Sequence, residues 1–183
     1  MKLFSELLES LIYTSSRNAK MMLLKNYFEK AADPDRGIAL AALTGTLQLP
    51  NVTPAIIRKL MSERADPVLF SWSYDFVGDL AETTALMWPS NAKISTWPEL
   101  KDVYNALMSA KKKEVPDLIS NWLDAMDENG RWALLKLMGG GLRVGVSARL
   151  AKSSLAKFGD VEVAEIEEVW HALEVPFEEL FSW

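Results

Sequence analysis

At 183 residues, 49% hydrophobic and 25% charged with no low-complexity tract, the chain can bury roughly two thirds of its unfolded surface, which excludes disorder and predicts one domain over residues 1–183. The absence of cysteine excludes a disulfide framework, a thiol nucleophile and a thiolate metal site, and no apolar run approaches the ~18 residues that cross a bilayer. A net charge of −5 excludes a uniformly basic nucleic-acid binder, yet residues 131–159 carry six Lys/Arg and no Asp/Glu, and residues 160–183 carry eight Asp/Glu and no Lys/Arg.

Taken in chain order, Phe4, Leu7, Leu8, Leu11 and Ile12 recur at helical spacing, as do Met22, Leu23, Tyr27 and Phe28, and the two helices join near Tyr13-Thr14-Ser15-Ser16. Asp33-Pro34, Thr53-Pro54 and Asp66-Pro67 each offer an N-cap followed by a proline at the first helical position. Thr96-Trp97-Pro98-Glu99 has capping-box spacing ahead of Leu100, Val103, Tyr104 and Leu107. Pro116 opens a helix through Trp122 and Leu123 that Asn129-Gly130 is expected to end. Trp132 to Leu137 makes a short helix that stops at Gly139-Gly140-Gly141, and Ser147 caps the next, through Leu150, Leu155 and Phe158. The last helix carries Val163, Ile166, Val169, Trp170 and Leu173 and breaks at Val175-Pro176. Strand alternation is brief, with Leu142-Val144-Val146 the best case. The expectation is an all-α fold of about ten or more helices. The apolar ending Leu180-Phe181-Ser182-Trp183 suggests a module of something larger.

The stretch Gly139 to Ser147 holds the most specific chemistry. It does not meet the Walker A order, and it lacks the strand-turn-helix setting of a dinucleotide fingerprint. A helix C-cap and tight turn would need one or two glycines. The surplus favours a loop whose amides, with Arg143 and the N-terminus of the Ser147 helix, clasp phosphates. Arg149, Lys152 and Lys157, with Lys136 and Arg143, extend this into a candidate phosphate-facing stripe. Near the N-terminus, Ser15, Ser16, Arg17 and Lys20 either hold a second phosphate or simply cap a helix. Core spacing is read for Trp122, Trp132 and Trp170, leaving Trp72, Trp88, Trp97 and Trp183 unassigned. His171 is the single histidine and cannot anchor a typical zinc site. No nucleophile has an orienting base. No catalytic or metal residue, and no cofactor, is expected in this chain.

The order of three motifs resembles the N-terminal DNA-binding domain of bacterial ATP-dependent DNA ligases over nearly the whole chain. They are Thr14-Ser15-Ser16-Arg17-Asn18-Ala19-Lys20, Val77-Gly78-Asp79-Leu80-Ala81-Glu82-Thr83, and Leu137-Met138-Gly139-Gly140-Gly141-Leu142-Arg143-Val144-Gly145-Val146-Ser147. The resemblance implies a compact multi-helix domain that binds nicked double-stranded DNA independently of sequence, through backbone and minor-groove contacts. Matching positions put Arg17 and Lys20 near one backbone, Gly78 and Asp79 in a structural turn, and Gly140, Gly141, Arg143, Gly145 and Ser147 in the phosphate loop. Arg149 and Lys152 follow that loop and join the DNA-binding set.

The family's adenylated lysine lies in a Lys-x-Asp-Gly pattern that this chain lacks. The resemblance therefore implies that ATP and Mg²⁺ serve the full-length enzyme, that catalytic and OB-fold domains of the same protein are partners, and that the protein works in the bacterial cytoplasm at the nucleoid. The acidic last segment departs from a DNA-facing surface and is expected to face away from DNA or towards the catalytic domain. The alternative is a helical protein-interaction module using its apolar surface and that acidic segment.

Overall fold

The computed structural model describes residues 1–89, 96–140 and 142–182. Among them are eleven α-helices, a closing 3-10 helix and no strand, as the periodicity and the cap pattern predict. The helices are α1 (Lys2–Tyr13), α2 (Arg17–Lys30), α3 (Asp35–Thr44), α4 (Pro54–Arg64), α5 (Pro67–Val77), α6 (Leu80–Met87), α7 (Leu100–Ser109), α8 (Val115–Ala125), α9 (Glu128–Gly139), α10 (Ala148–Gly159) and α11 (Val163–Trp170), with the 3-10 turn at Glu178–Phe181. None of the described helices is long and apolar enough to cross a membrane.

Several starts are the expected ones. Asp66 accepts the Val68 and Leu69 amides at 2.9 Å each, with Pro67 in the first turn of α5. Pro54 opens α4, although the Thr53 side chain makes no cap bond. Three expectations shift. Asp33 does not cap α3, because its carboxylate is gripped by Arg36 through Nε at 2.6 Å and Nη2 at 2.5 Å, and the helix begins at Asp35. The Thr96 capping box does not form: Glu99 pairs with Lys101 at 2.7 Å, the Pro98 carbonyl accepts the N-terminal ammonium at 2.8 Å, and α7 starts at Leu100. Gly130 does not end α8 but lies in the first turn of α9, where Asp127 accepts its amide at 2.9 Å. The Trp97 ring lies so close to its Cα that an added Cβ would sit 2.6 Å from the ring. Close approach, rather than a left-handed cap, explains this glycine.

The chain forms two compact units. The first holds residues 1–5 and 49–139, with α6 packed on α9 and on α5, and α4 against α5, α6 and α8. Trp88, unassigned from sequence, is buried there and donates its indole N–H to Asp124 at 2.8 Å, while Arg64 lies over its ring at 4.7 Å and pairs with the same Asp124 at 3.0 Å. Trp122 and Trp132 are only half-buried.

The second unit holds residues 6–48 and 140–182 of the described chain. Its centre is the pair α2 and α10, with α3 and α11 packed on α10. Phe28 and Phe158 meet edge to face at 6.0 Å between centroids, and Phe181 joins both at 5.4 and 6.0 Å. The Arg36 guanidinium covers the Phe181 ring at 4.6 Å. The apolar ending of the chain is thus partly core, since Leu180 and Phe181 are buried in this unit; Trp183 lies outside the described residues.

Candidate nucleic-acid interface

Two helix N-termini from opposite ends of the sequence meet in the second unit. Ser16 caps α2, its hydroxyl accepting the Ala19 amide at 3.3 Å, and Ser147 caps α10, accepting the Leu150 amide at 3.2 Å. Phe28 and Phe158 touch near the far ends of these helices, whereas Lys20 and the Val144-Gly145 loop touch near their starts. The helices therefore run parallel, and their positive dipole ends point the same way.

Residues 142–146 hold no helix or strand, yet their period-two alternation has a consequence. Leu142 and Val144 are buried and anchor the loop, which leaves Arg143 and Gly145 exposed between and after them. Gly140 at φ +66° and Gly145 at φ +69° supply the left-handed turns that such a path requires. Lys20 ties the loop down from below: its ammonium donates to the Val144 carbonyl at 2.7 Å and the Gly145 carbonyl at 3.2 Å. Lys20 is only 8% exposed.

The result is an open groove of about 690 Å³ lined by Ser15, Arg17, Lys20, Leu142, Arg143, Gly145, Val146, Ser147 and Leu150. No acidic side chain is among these. The first amides of each helix have no intrahelical acceptor, and they open at the same end as two serine hydroxyls and two arginines. Arg17 and Arg143 are exposed and have no ion-pair or hydrogen-bond partner among the described residues. An anion is the ligand such a surface favours.

The sites expected from sequence divide into groups. Arg17, Arg143, Gly145 and Ser147 line the groove. Gly140 and Arg149 are exposed but are not among the lining residues, Arg149 lying in the first turn of α10. Gly141 lies outside the described residues. Lys20 lines the groove, but its ammonium is committed to loop carbonyls, so it organises the loop. Lys152 stands over the Trp170 ring at 4.9 Å. In the first unit, Lys136 pairs with Asp79 and Arg131 donates to the Leu123 carbonyl at 2.7 Å, so neither joins a free stripe.

The other expected turn forms as well. Gly78, at φ +74°, closes α5, and Asp79 caps α6 by accepting the Glu82 amide at 2.9 Å. Partial burial pushes the Asp79 carboxyl up, but the hydrogen bond from Lys136, the Glu82 amide and the Lys136 charge outweigh this and hold it below the usual carboxylate range.

In the acidic last segment, Glu162 and Glu165 form a capping box at the start of α11. Trp170 packs on Phe177 at 5.2 Å. Sequence reasoning missed the apolar floor of the groove, Leu142, Val146 and Leu150, for which the alternation after Gly141 was the available signal. Among the described residues, no group of three or more His, Asp or Glu side chains is placed to hold a metal ion. Comparison with protein-family models and with curated proteins finds no match.

Proposed function

We propose that this chain binds duplex DNA without reading its sequence, holding backbone phosphates in the groove at the N-termini of α2 and α10 and reaching the adjoining minor groove. The observation that carries the reading is the convergence of Ser15, Arg17, Arg143 and Ser147 around one acid-free groove at the start of two helices, whose first amides have no intrahelical acceptor. Contacts of this kind fix a protein on the backbone and carry no base preference. The order of the three motifs supports the further reading that the chain is the N-terminal module of a bacterial ATP-dependent DNA ligase, holding 5'-phosphate/3'-hydroxyl nicks for sealing. In that reading the adenylated lysine, ATP and Mg²⁺ belong to the catalytic and OB-fold domains of the same protein. This chain's residues bind and orient the duplex.

The test is fluorescence anisotropy with intact and nicked duplexes of unrelated sequence across a range of salt. Log affinity is expected to fall linearly with log salt, equally for every sequence, and Arg143→Ala is expected to reduce the slope by about 1. A slope that Arg143→Ala leaves unchanged removes Arg143 from the interface. Nick preference, measured as the affinity ratio of nicked to intact duplex, tests the ligase reading separately from DNA binding as such.

A further inference from the structure

The first unit carries an apolar face that its own core does not use. On α5, Val68, Leu69, Trp72 and Phe76 recur at helical spacing and all are exposed, Trp72 at 69% and Phe76 at 92%. Leu86 of α6 extends the face. Between the two helices an open hollow of about 360 Å³ is walled by Trp72, Phe76, Val77, Thr83, Leu86 and Met87. A contiguous exposed patch of large apolar side chains marks an interaction site.

The charges around this face select its occupant. Residues 65–89 contain Asp66, Asp75, Asp79 and Glu82 and no Lys or Arg. Asp66 and Asp79 are engaged as caps. Asp75 and Glu82 are exposed and, among the described residues, unpaired, Asp75 beside Phe76 and three residues from Trp72, Glu82 one turn from Leu86. Of the cations on packed neighbours, Arg58 of α4 stands 5.4 Å from the Tyr74 ring, on the other side of α5, and Lys136 of α9 is paired with Asp79. Phosphate would be repelled by this rim. A two-fold pairing of two copies would set like carboxylates against each other. What complements an apolar hollow with an acidic rim is an amphipathic helix with large apolar anchors and flanking Lys or Arg.

We propose that the α5–α6 face docks a basic amphipathic helix of a protein partner. This stands independently of DNA binding by the second unit.

The probes are labelled peptides of about five helical turns built from Leu and Lys, with Leu at i, i+3, i+4 and i+7. Two companions accompany them: a scramble of the same composition, and a version with every Lys replaced by Glu. Anisotropy titrations of the intact chain at about 150 mM salt are expected to give saturable binding of the patterned Lys peptide, with the scramble and the Glu version at least about tenfold weaker. Trp72→Ala and Phe76→Ala are each expected to weaken binding about tenfold or more. Their side chains are exposed, so circular dichroism should be unchanged. Asp75→Lys with Glu82→Lys is expected to move the preference to the Glu peptide. The proposal is overturned if no patterned peptide binds, if the scramble binds equally, or if Phe76→Ala has no effect. It is likewise overturned if Phe76→Ala abolishes a dimer seen by sedimentation, which would make a second copy the occupant, or if it weakens duplex binding, which would assign the face to DNA.

Discussion

Replacing Lys20 by Met separates two roles that one lysine could have. Lys20 is almost wholly buried, and its ammonium donates to the Val144 carbonyl at 2.7 Å and to the Gly145 carbonyl at 3.2 Å. Met keeps an unbranched apolar stem, one atom shorter, but supplies no donor. A hydrogen bond to a charged group contributes about 1.5–3 kcal/mol; the shorter, buried bond to Val144 belongs at the upper end and the longer, half-buried one to Gly145 below it. Loss of both is therefore expected to destabilise the second unit by about 3–5 kcal/mol. The assay is urea unfolding, together with hydrogen exchange of the amides between residues 142 and 147, which should lose protection. If Lys20 instead reached out to phosphate, Lys20→Met would leave stability within about 0.5 kcal/mol of the parent and reduce only the salt slope of DNA binding. That pair of results would refute the assignment of Lys20 to the loop.

Gly145→Ala places a Cβ 2.2 Å from the Lys20 Nζ at a φ of +69°. It is expected to cost about 1–2 kcal/mol from the left-handed backbone alone, and more from the displaced ammonium. In the double variant with Lys20→Met the two losses should be less than additive by urea unfolding, since the atom that is struck has gone. Gly130→Ala gains up to about 1 kcal/mol of helix propensity but drives a methyl into the Trp97 ring, an overpacking of about 1–3 kcal/mol, so a lower urea midpoint is expected and a higher one would contradict the close approach. The folded Asp79 carboxyl titrates below its unfolded value. Its contribution is therefore complete above the ordinary carboxylate range and is lost as pH falls through the lower, folded value. Asp79→Asn should narrow the difference in urea midpoint between neutral and acid pH, and an unchanged difference would show that the Lys136 pair contributes nothing.

Local chemistry was readable in the sequence wherever a residue acts on its own neighbours. Asp66, Asp79 and Ser147 cap the helices they precede, because an N-cap bond spans only two or three residues. The glycine-arginine loop and the serine-arginine helix start were each visible as candidate phosphate sites, but not that they would share one groove, since that depends on α2 and α10 packing in parallel. Gly130 was misread because a glycine required for close approach looks the same in sequence as one required for a left-handed cap. The exposed face of α5 was also hidden: Phe70 is buried while Trp72 and Phe76 are exposed, and a helix with apolar residues on several sides gives no period from which burial can be read.

The same limit applies to the basic segment, and it sets a number that can be measured. A charge count along the chain treats Arg17, Lys20, Arg143, Arg149 and Lys152 as five phosphate contacts, for which the counterion-release slope is about −4.5. Two of these are withdrawn by long-range partners, Lys20 by the loop carbonyls and Lys152 by the Trp170 ring. Lys157, eight residues along α10 from Arg149, lies about 12 Å away along the axis and is out of reach of a phosphate held at the helix start. Three cations remain, Arg17 and Arg143 lining the groove and Arg149 in the first turn of α10, and three contacts give a slope of about −2.7. Between about 50 and 200 mM salt the affinity is then expected to fall about 40-fold, against about 500-fold for five contacts. The open amides of α2 and α10 add affinity without adding to this slope, because they carry no net charge to exchange for counterions. A measured slope near −4.5 would mean that Lys20 and Lys152 leave their partners when DNA binds, and a slope near zero would exclude the backbone as the ligand of this groove.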